Sequence, residues 1–182
     1  MQRILCIFLF LTMIFCSAYR RPEHYVINAE KDAYLHNNTG LNYIRERVYF
    51  AALEEFRIAI SLSPNTQSTA IFKSNMGKTY MLMGYPDYAR QPLEEAIKAY
   101  GLNLQYYMNL ADCYEKLGIV QQKIKEYQNS NSIYDKIMLG ILYIRTGETT
   151  RGIVALDDFC FNEPDLLITP AIKQYINEIN KN

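Results

Sequence analysis

Residues 76–89 read Met76-Gly77-Lys78-Thr79-Tyr80-Met81-Leu82-Met83-Gly84-Tyr85-Pro86-Asp87-Tyr88-Ala89. A small residue is followed three positions later by tyrosine, and a Gly-Tyr-Pro-Asp turn leads into Ala89, Leu93, Ala96 and Ile97 at helical spacing. The stretch therefore predicts two helices joined by a tight turn. The same pairing recurs at Gly40/Tyr43, Ala111/Tyr114 and Gly140/Tyr143, which sets successive intervals of 37, 34 and 29 residues. Recurrence on that scale is left by stacked helical hairpins, because each unit meets the same close-packing requirement against its neighbour.

Outward from this unit the grammar repeats. Tyr34, Leu35, Gly40, Tyr43 and Ile44 mark one amphipathic helix; Tyr49, Ala52, Leu53, Phe56, Ala59, Ile60 and Leu62 mark its return, stopped by Ser63-Pro64-Asn65. A third hairpin turns at Gly118 and a fourth at Gly147, with Pro164 ending the latter. Thr169 before Pro170 reads as an N-cap, and Ile172, Tyr175, Ile176 and Ile179 give the last helix one apolar stripe. The expectation is an all-α solenoid of about four hairpins, near residues 33–66, 70–103, 104–132 and 133–166, with a C-terminal capping helix over 170–180. Pro92 predicts a kink or a late start in the second returning helix. The third returning helix is short and runs into Asn129-Ser130-Asn131-Ser132, so irregular stacking is expected near Lys123 and Ser132.

The 182 residues carry 19 basic and 19 acidic side chains, and this absence of net charge argues against a dedicated nucleic-acid binder. An apolar fraction of 49% suits a folded domain. Arg3, the apolar run from Ile4 to Phe15 and the small residues Cys16-Ser17-Ala18 have the order of a secretory signal peptide over 1–18, with 19–27 as a short tether. A run of twelve residues falls short of the roughly 20 that span a bilayer. Bulky Phe15 departs from the Leu-Ala-Gly pattern that precedes a lipidated cysteine. Export to the periplasm or the cell exterior is therefore expected, with membrane attachment only if Cys16 is lipidated. Of the remaining cysteines, Cys113 and Cys160 fall in different hairpins and read as small core residues instead of a disulfide.

These residues resemble the tetratricopeptide repeat family, whose pattern is W-x2-L-G-x2-Y, then A-x3-F, then P over 34 residues. Gly40-x2-Tyr43, Ala52-x3-Phe56 and Pro64 match best, although His36, Thr39 and Arg47 replace the usual tryptophan, leucine and turn glycine. Met76-Gly77-x2-Tyr80 with Ala89-x3-Leu93, and Leu139-Gly140-x2-Tyr143 with Gly152-x3-Leu156, follow it. In Leu110-Ala111-x2-Tyr114 the matching alanine of the return helix is Lys123. The resemblance covers roughly residues 33–165 and implies a right-handed superhelix whose concave groove, lined by the first helix of each hairpin, binds extended or helical peptides.

Asn38, Asn75 and Asn109 each stand two residues before the small residue, and in some members of the family asparagines there hydrogen-bond a ligand's backbone; an amide offers both a donor and an acceptor. Tyr34, Ile71, Lys78, Met81, Met108 and Asp112 share that face, whose apolar character favours a protein or peptide partner with an apolar segment. Ile137, Ile141 and Ile144 fit either the groove or the underside of the capping helix. The carboxylate clamp of chaperone-binding members is not expected, because Asn37, Gln105 and Asn109 hold the places of its basic residues. No nucleophile, metal-binding or phosphate-loop motif occurs, so no catalytic residue, metal or cofactor is assigned. Asn37-Asn38-Thr39 is a glycosylation sequon. The expected function is that of an exported interaction adaptor, with envelope, pilus or secretion-system assembly as its setting; a module that positions or regulates an envelope enzyme is the alternative.

Overall fold

Small residues at helix crossings set how this chain packs. The computed structural model describes residues 29–63 and 65–181; the expected signal peptide and tether, and Pro64, lie outside the described residues. Among these, the helices are α1 (Ala29–Arg45), α2 (Tyr49–Ser61), α3 (Thr66–Leu82), α4 (Pro86–Ala99), α5 (Leu104–Leu117), α6 (Val120–Gln128), α7 (Ile133–Arg145), α8 (Thr149–Asn162) and α9 (Thr169–Ile179). No strand occurs among the described residues, and the all-α stack of hairpins expected from the repeat is what forms.

The recurrent glycines lie where two helices of a hairpin cross. A Cβ on Gly40 would stand 2.7 Å from Phe56 Cε1, one on Gly77 would stand 2.5 Å from Leu93 Cγ, and one on Gly140 would stand 2.7 Å from Leu156 Cγ. A methyl at any of the three would have to displace the Phe56, Leu93 or Leu156 side chain opposite. The tyrosine three residues on serves the turn through its backbone. The carbonyls of Tyr43, Tyr80, Tyr114 and Tyr143 accept from the amides of Val48, Tyr85, Ile119 and Glu148 at 2.8, 2.9, 3.1 and 2.9 Å, closing a Schellman turn in all four hairpins. The left-handed position within it is held by Gly84, Gly118 and Gly147, and in the first hairpin by Arg47 at φ 62°.

The place of the family's tryptophan is taken by polar contacts. His36 meets Glu55 at 2.6 Å, Lys73 meets Glu95 at 2.7 Å and Lys136 meets Asp158 at 2.6 Å, each joining the two helices of its hairpin. The bond from Lys73 holds the Glu95 carboxyl below its usual range, and Lys136 does the same for Asp158. The third hairpin has Tyr107 at this place, donating to the Gly101 carbonyl at 2.9 Å. This hairpin is also the most sparsely packed of the four. Its crossing carries Ala111 and Lys123 where the others carry only glycine or alanine. Lys123 runs its stem out between the helices, so that its ammonium stands 5.3 Å over the Tyr114 ring and 2.7 Å from Glu126.

Two local expectations change. The helix α4 starts at Pro86 and continues through buried Pro92, so its start is not late; Pro86 takes the first turn, where a missing amide costs nothing. Thr169 is the first helical residue and not the N-cap, since its hydroxyl donates to the Glu163 carbonyl and ties the preceding loop to α9.

The first helices of successive hairpins pack on one another along the stack, and the second helices have no contact of comparable extent. The first helices thus form the inner, concave layer. One main core runs from Ala89 to Ile176, and smaller clusters around Phe72 and Tyr106 bind the first two units to it. Cys113 and Cys160 are buried, unpaired members of the main core, and burial pushes the Cys113 thiol up to about 11.

Candidate functional site

Side chains on α1, α3 and α5 are joined across the inner layer by their amides. Asn75 donates to the Asn37 carbonyl oxygen at 2.8 Å, Asn109 donates to Ser74 Oγ at 3.2 Å, and Gln105 donates to the Asn109 carbonyl oxygen at 2.9 Å. Of the three asparagines expected to face a ligand's backbone, Asn75 and Asn109 instead bond to Asn37 and Ser74 of the preceding first helix, and Asn38 is exposed on α1. Asn109, only 8% exposed, has both ends of its amide engaged. These residues fix the spacing of neighbouring first helices. The sequon residue Asn37 is part of that hydrogen-bonded layer, so a glycan cannot join it in the folded chain.

Between α3 and α5 the inner layer opens into a pocket of about 440 Å³ lined by Lys78, Met81, Leu82, Asn109, Asp112, Glu115 and Lys116. Four of the residues expected on the binding face, Lys78, Met81, Asn109 and Asp112, meet here. Arg145 on α7 reaches back to one wall, 2.7 Å from Asp112 and 3.7 Å from Glu115. Lys78 and Lys116 are exposed and have no ion-pair partner among the described residues. The pocket thus combines apolar Met81 and Leu82, two open ammonium groups and two carboxylates that share one guanidinium.

The other expected residues do not share this pocket. Tyr34 is exposed on α1, its ring edge-on to Phe72 at 5.4 Å, and Ile71 is half-buried between two core clusters. Met108 lines a second depression, of about 590 Å³, with Leu104 and Gln105 on α5 and Ala171, Gln174 and Tyr175 on α9. The last helix therefore packs on α8 and faces α5 across this depression. Ile137 and Ile141 are fully buried in one core with Ile172 and Ile176. Burial and its electrostatic setting, with Asp112 and Glu115 opposing and Arg145 favouring ionisation, leave the Tyr175 hydroxyl raised. For Ile137 and Ile141 the covered reading holds, whereas half-buried Ile144 lies at the crossing of α7 and α8 against Gly152.

Leu82, Lys116 and Arg145 were not singled out by the sequence pattern. Lys116 was within reach of it, lying one helical turn beyond Asp112; Arg145 was not, because its role depends on how α7 stacks on α5.

These features define the class: an α-solenoid whose inner face is a groove of amides and apolar side chains, closed at one end by its own last helix. More narrowly, the fold is that of the tetratricopeptide-repeat solenoids. A tetratricopeptide repeat protein from Parabacteroides merdae is similar over 84% of this chain and 61% of its own, with 15% identity and a TM-score of 0.50. The MamA protein is similar over 83% of this chain and 87% of its own at 19% identity and a TM-score of 0.49. YrrB, a TPR protein with an unusual peptide-binding site, is similar over 78% and 74% at 15% identity and a TM-score of 0.45. No family model and no curated protein matches the chain.

Proposed function

We propose that this chain is an exported adaptor that binds a partner protein by an amphipathic segment laid along α1, α3 and α5. The pocket between α3 and α5 carries the reading. Apolar side chains of the segment sit on Met81 and Leu82, and its carboxylates reach Lys78 and Lys116. Arg145 offsets one of the two negative charges at Asp112 and Glu115, and Lys78 and Lys116 leave the pocket with a net positive charge toward an acidic segment. The order of residues 3–18, basic then apolar then small, supports a setting in the cell envelope, such as pilus or secretion-system assembly.

The test is site-specific photocrosslinking in intact cells. A benzophenone side chain at Met81 is expected to give a discrete adduct that disappears when Lys78 and Lys116 are both changed to glutamate. The same probe at Val154, exposed on α8, is expected to give none. Equal labelling from both positions, or an adduct indifferent to the lysines, refutes the groove. Mass spectrometry of the protein from cells separates the export question: a mature N-terminus at Tyr19 supports soluble export, a diacylated Cys16 shows anchoring, and an intact Met1 refutes both.

A further inference from the structure

The helix α6 has 9 residues, whereas the other returning helices have 13, 14 and 14. The polar run from Asn129 to Ser132 carries the chain directly into α7, and the space that further turns of α6 would occupy stays open. It is a cavity of about 520 Å³ between the C-terminal end of α4, one face of α5 and the start of α7. That volume lies within the roughly 300–1,000 Å³ typical of small-molecule sites. It shares no lining residue with the pocket that holds Lys78 and Met81.

Its lining has a definite chemistry. Tyr100, Tyr107, Tyr127 and Tyr134 contribute four rings, and Glu94 and Asp135 two carboxylates. The buried hydroxyls are already committed: Tyr107 donates to the Gly101 carbonyl, and Tyr127 pairs at 3.1 Å with Tyr114, which donates to Glu94 at 3.0 Å. The partly exposed rings of Tyr100, Tyr127 and Tyr134 offer a guest π surface, which attracts cations, with buried Tyr107 behind them. Asp135 accepts from Ser130 through one oxygen, Oδ2. The same combination already holds a cation next door, where the Lys123 ammonium stands over Tyr114, 2.7 Å from Glu126 and 3.9 Å from Glu94. Lys98, the one cation in the lining, is an exposed side chain at the end of α4.

We propose that this cavity is a binding site for a small organic cation with an apolar body. The ammonium head sits among the tyrosine rings with Glu94 and Asp135, and the body rests on Ile97, Leu110 and Met138. This site is independent of the groove and of any partner bound there.

Benzyltrimethylammonium is the probe, titrated into the full chain and followed by calorimetry and amide chemical shifts, with its neutral isostere neopentylbenzene as the control. Saturable binding that shifts the amides of Tyr100, Ser132 and Tyr134 is expected, with the isostere about tenfold weaker. D135N and Y134L are each expected to weaken the cation several-fold, while K78E in the groove leaves it unchanged. D135N alters only a half-exposed side chain, so it reads out binding even if Y134L unfolds. Equal affinity for the neutral isostere would show a merely apolar hole. That result, no saturable shift at the cavity, or indifference to D135N each overturns the proposal.

Discussion

The closeness of the helix crossings can be measured by placing one methyl group at Gly77. An added Cβ would lie 2.5 Å from Leu93 Cγ, 2.7 Å from its Cδ2 and 3.2 Å from the Ala89 carbonyl oxygen. Ordinary contact begins near 3.4 Å, so Leu93 or the helix that carries it must give way by up to about 0.9 Å. Overpacking on this scale costs about 1–3 kcal/mol. Alanine returns about 1 kcal/mol of helix propensity over glycine, which leaves G77A less stable by about 0–2 kcal/mol. The sign reverses once Leu93 is shortened. L93A alone should cost about 2–5 kcal/mol, and adding G77A to it should recover about 1 kcal/mol, because the methyl enters space the leucine has left. Urea titrations of the wild type, both single variants and the double variant, followed by far-UV circular dichroism, give a coupling energy expected near 1–3 kcal/mol. A111G is the internal control, because that position already carries a methyl in the loosest hairpin, and it should simply lose about 1 kcal/mol. A stabilised G77A in the wild-type background, or a cycle that closes to zero, refutes the close crossing.

Other expectations follow from single sites. R47G should stabilise by about 0.5–1 kcal/mol in urea titration, since left-handed backbone costs a side-chain residue about 1–2 kcal/mol and glycine's greater freedom when unfolded removes part of the gain. N109A should destabilise by about 2 kcal/mol by leaving buried Ser74 without its partner, whereas N38A on the exposed face should change stability by less than about 0.5 kcal/mol. Alkaline stability should fall from about pH 9 to about pH 11, because the unfolded Cys113 thiol ionises near 9 and the buried one near 11. Over that window only the unfolded state has lost the proton, so stability declines as pH rises and this contribution is exhausted above it; C113A should show a flatter limb between pH 9 and 11 in chemical denaturation.

The hairpins were legible because their determinants are local. Small residue, tyrosine three positions on and a left-handed residue four further on specify a helix end and a crossing within one unit, and three of the four hairpins place glycine at the turn. Arg47 hid the turn of the first hairpin only partly, since the surrounding pattern was intact. The binding face was legible to the accuracy of a helix period, so Lys78, Met81, Asn109 and Asp112 could be grouped. What escaped depends on chain separation. Whether Asn37 or Asn38 meets Asn75 turns on the rotation of α1 against α3. The reach of Arg145 to Asp112, and the passage of α9 over Ile137 and Ile141, require the stacked geometry itself. The inter-helix pairs of His36, Lys73 and Lys136 escaped for a different reason: a missing tryptophan reads as a loss until the carboxylate opposite is seen.

The third hairpin ties the two sites together. Within every hairpin the spacing from small residue to tyrosine to left-handed turn is constant, so the shortening of the interval to 29 residues falls wholly in the return helix and the link that follows it. Ala111 and Lys123 thicken the crossing there, which weakens the hold of α5 on α6. A return helix with few contacts gains little from further turns. Ending at Gln128, it leaves the tyrosine-lined cavity in the outer layer. In the inner layer, α5 and α7 pack on each other more extensively than any other successive first helices. That approach brings Arg145 to Asp112 and Glu115 and sets one wall of the groove pocket. Insertion of a full-length return helix would therefore act on both layers, filling the cavity and spacing α7 away from α5. The irregular step is in this sense the element that separates an open groove over α1, α3 and α5 from the closed end beneath α9.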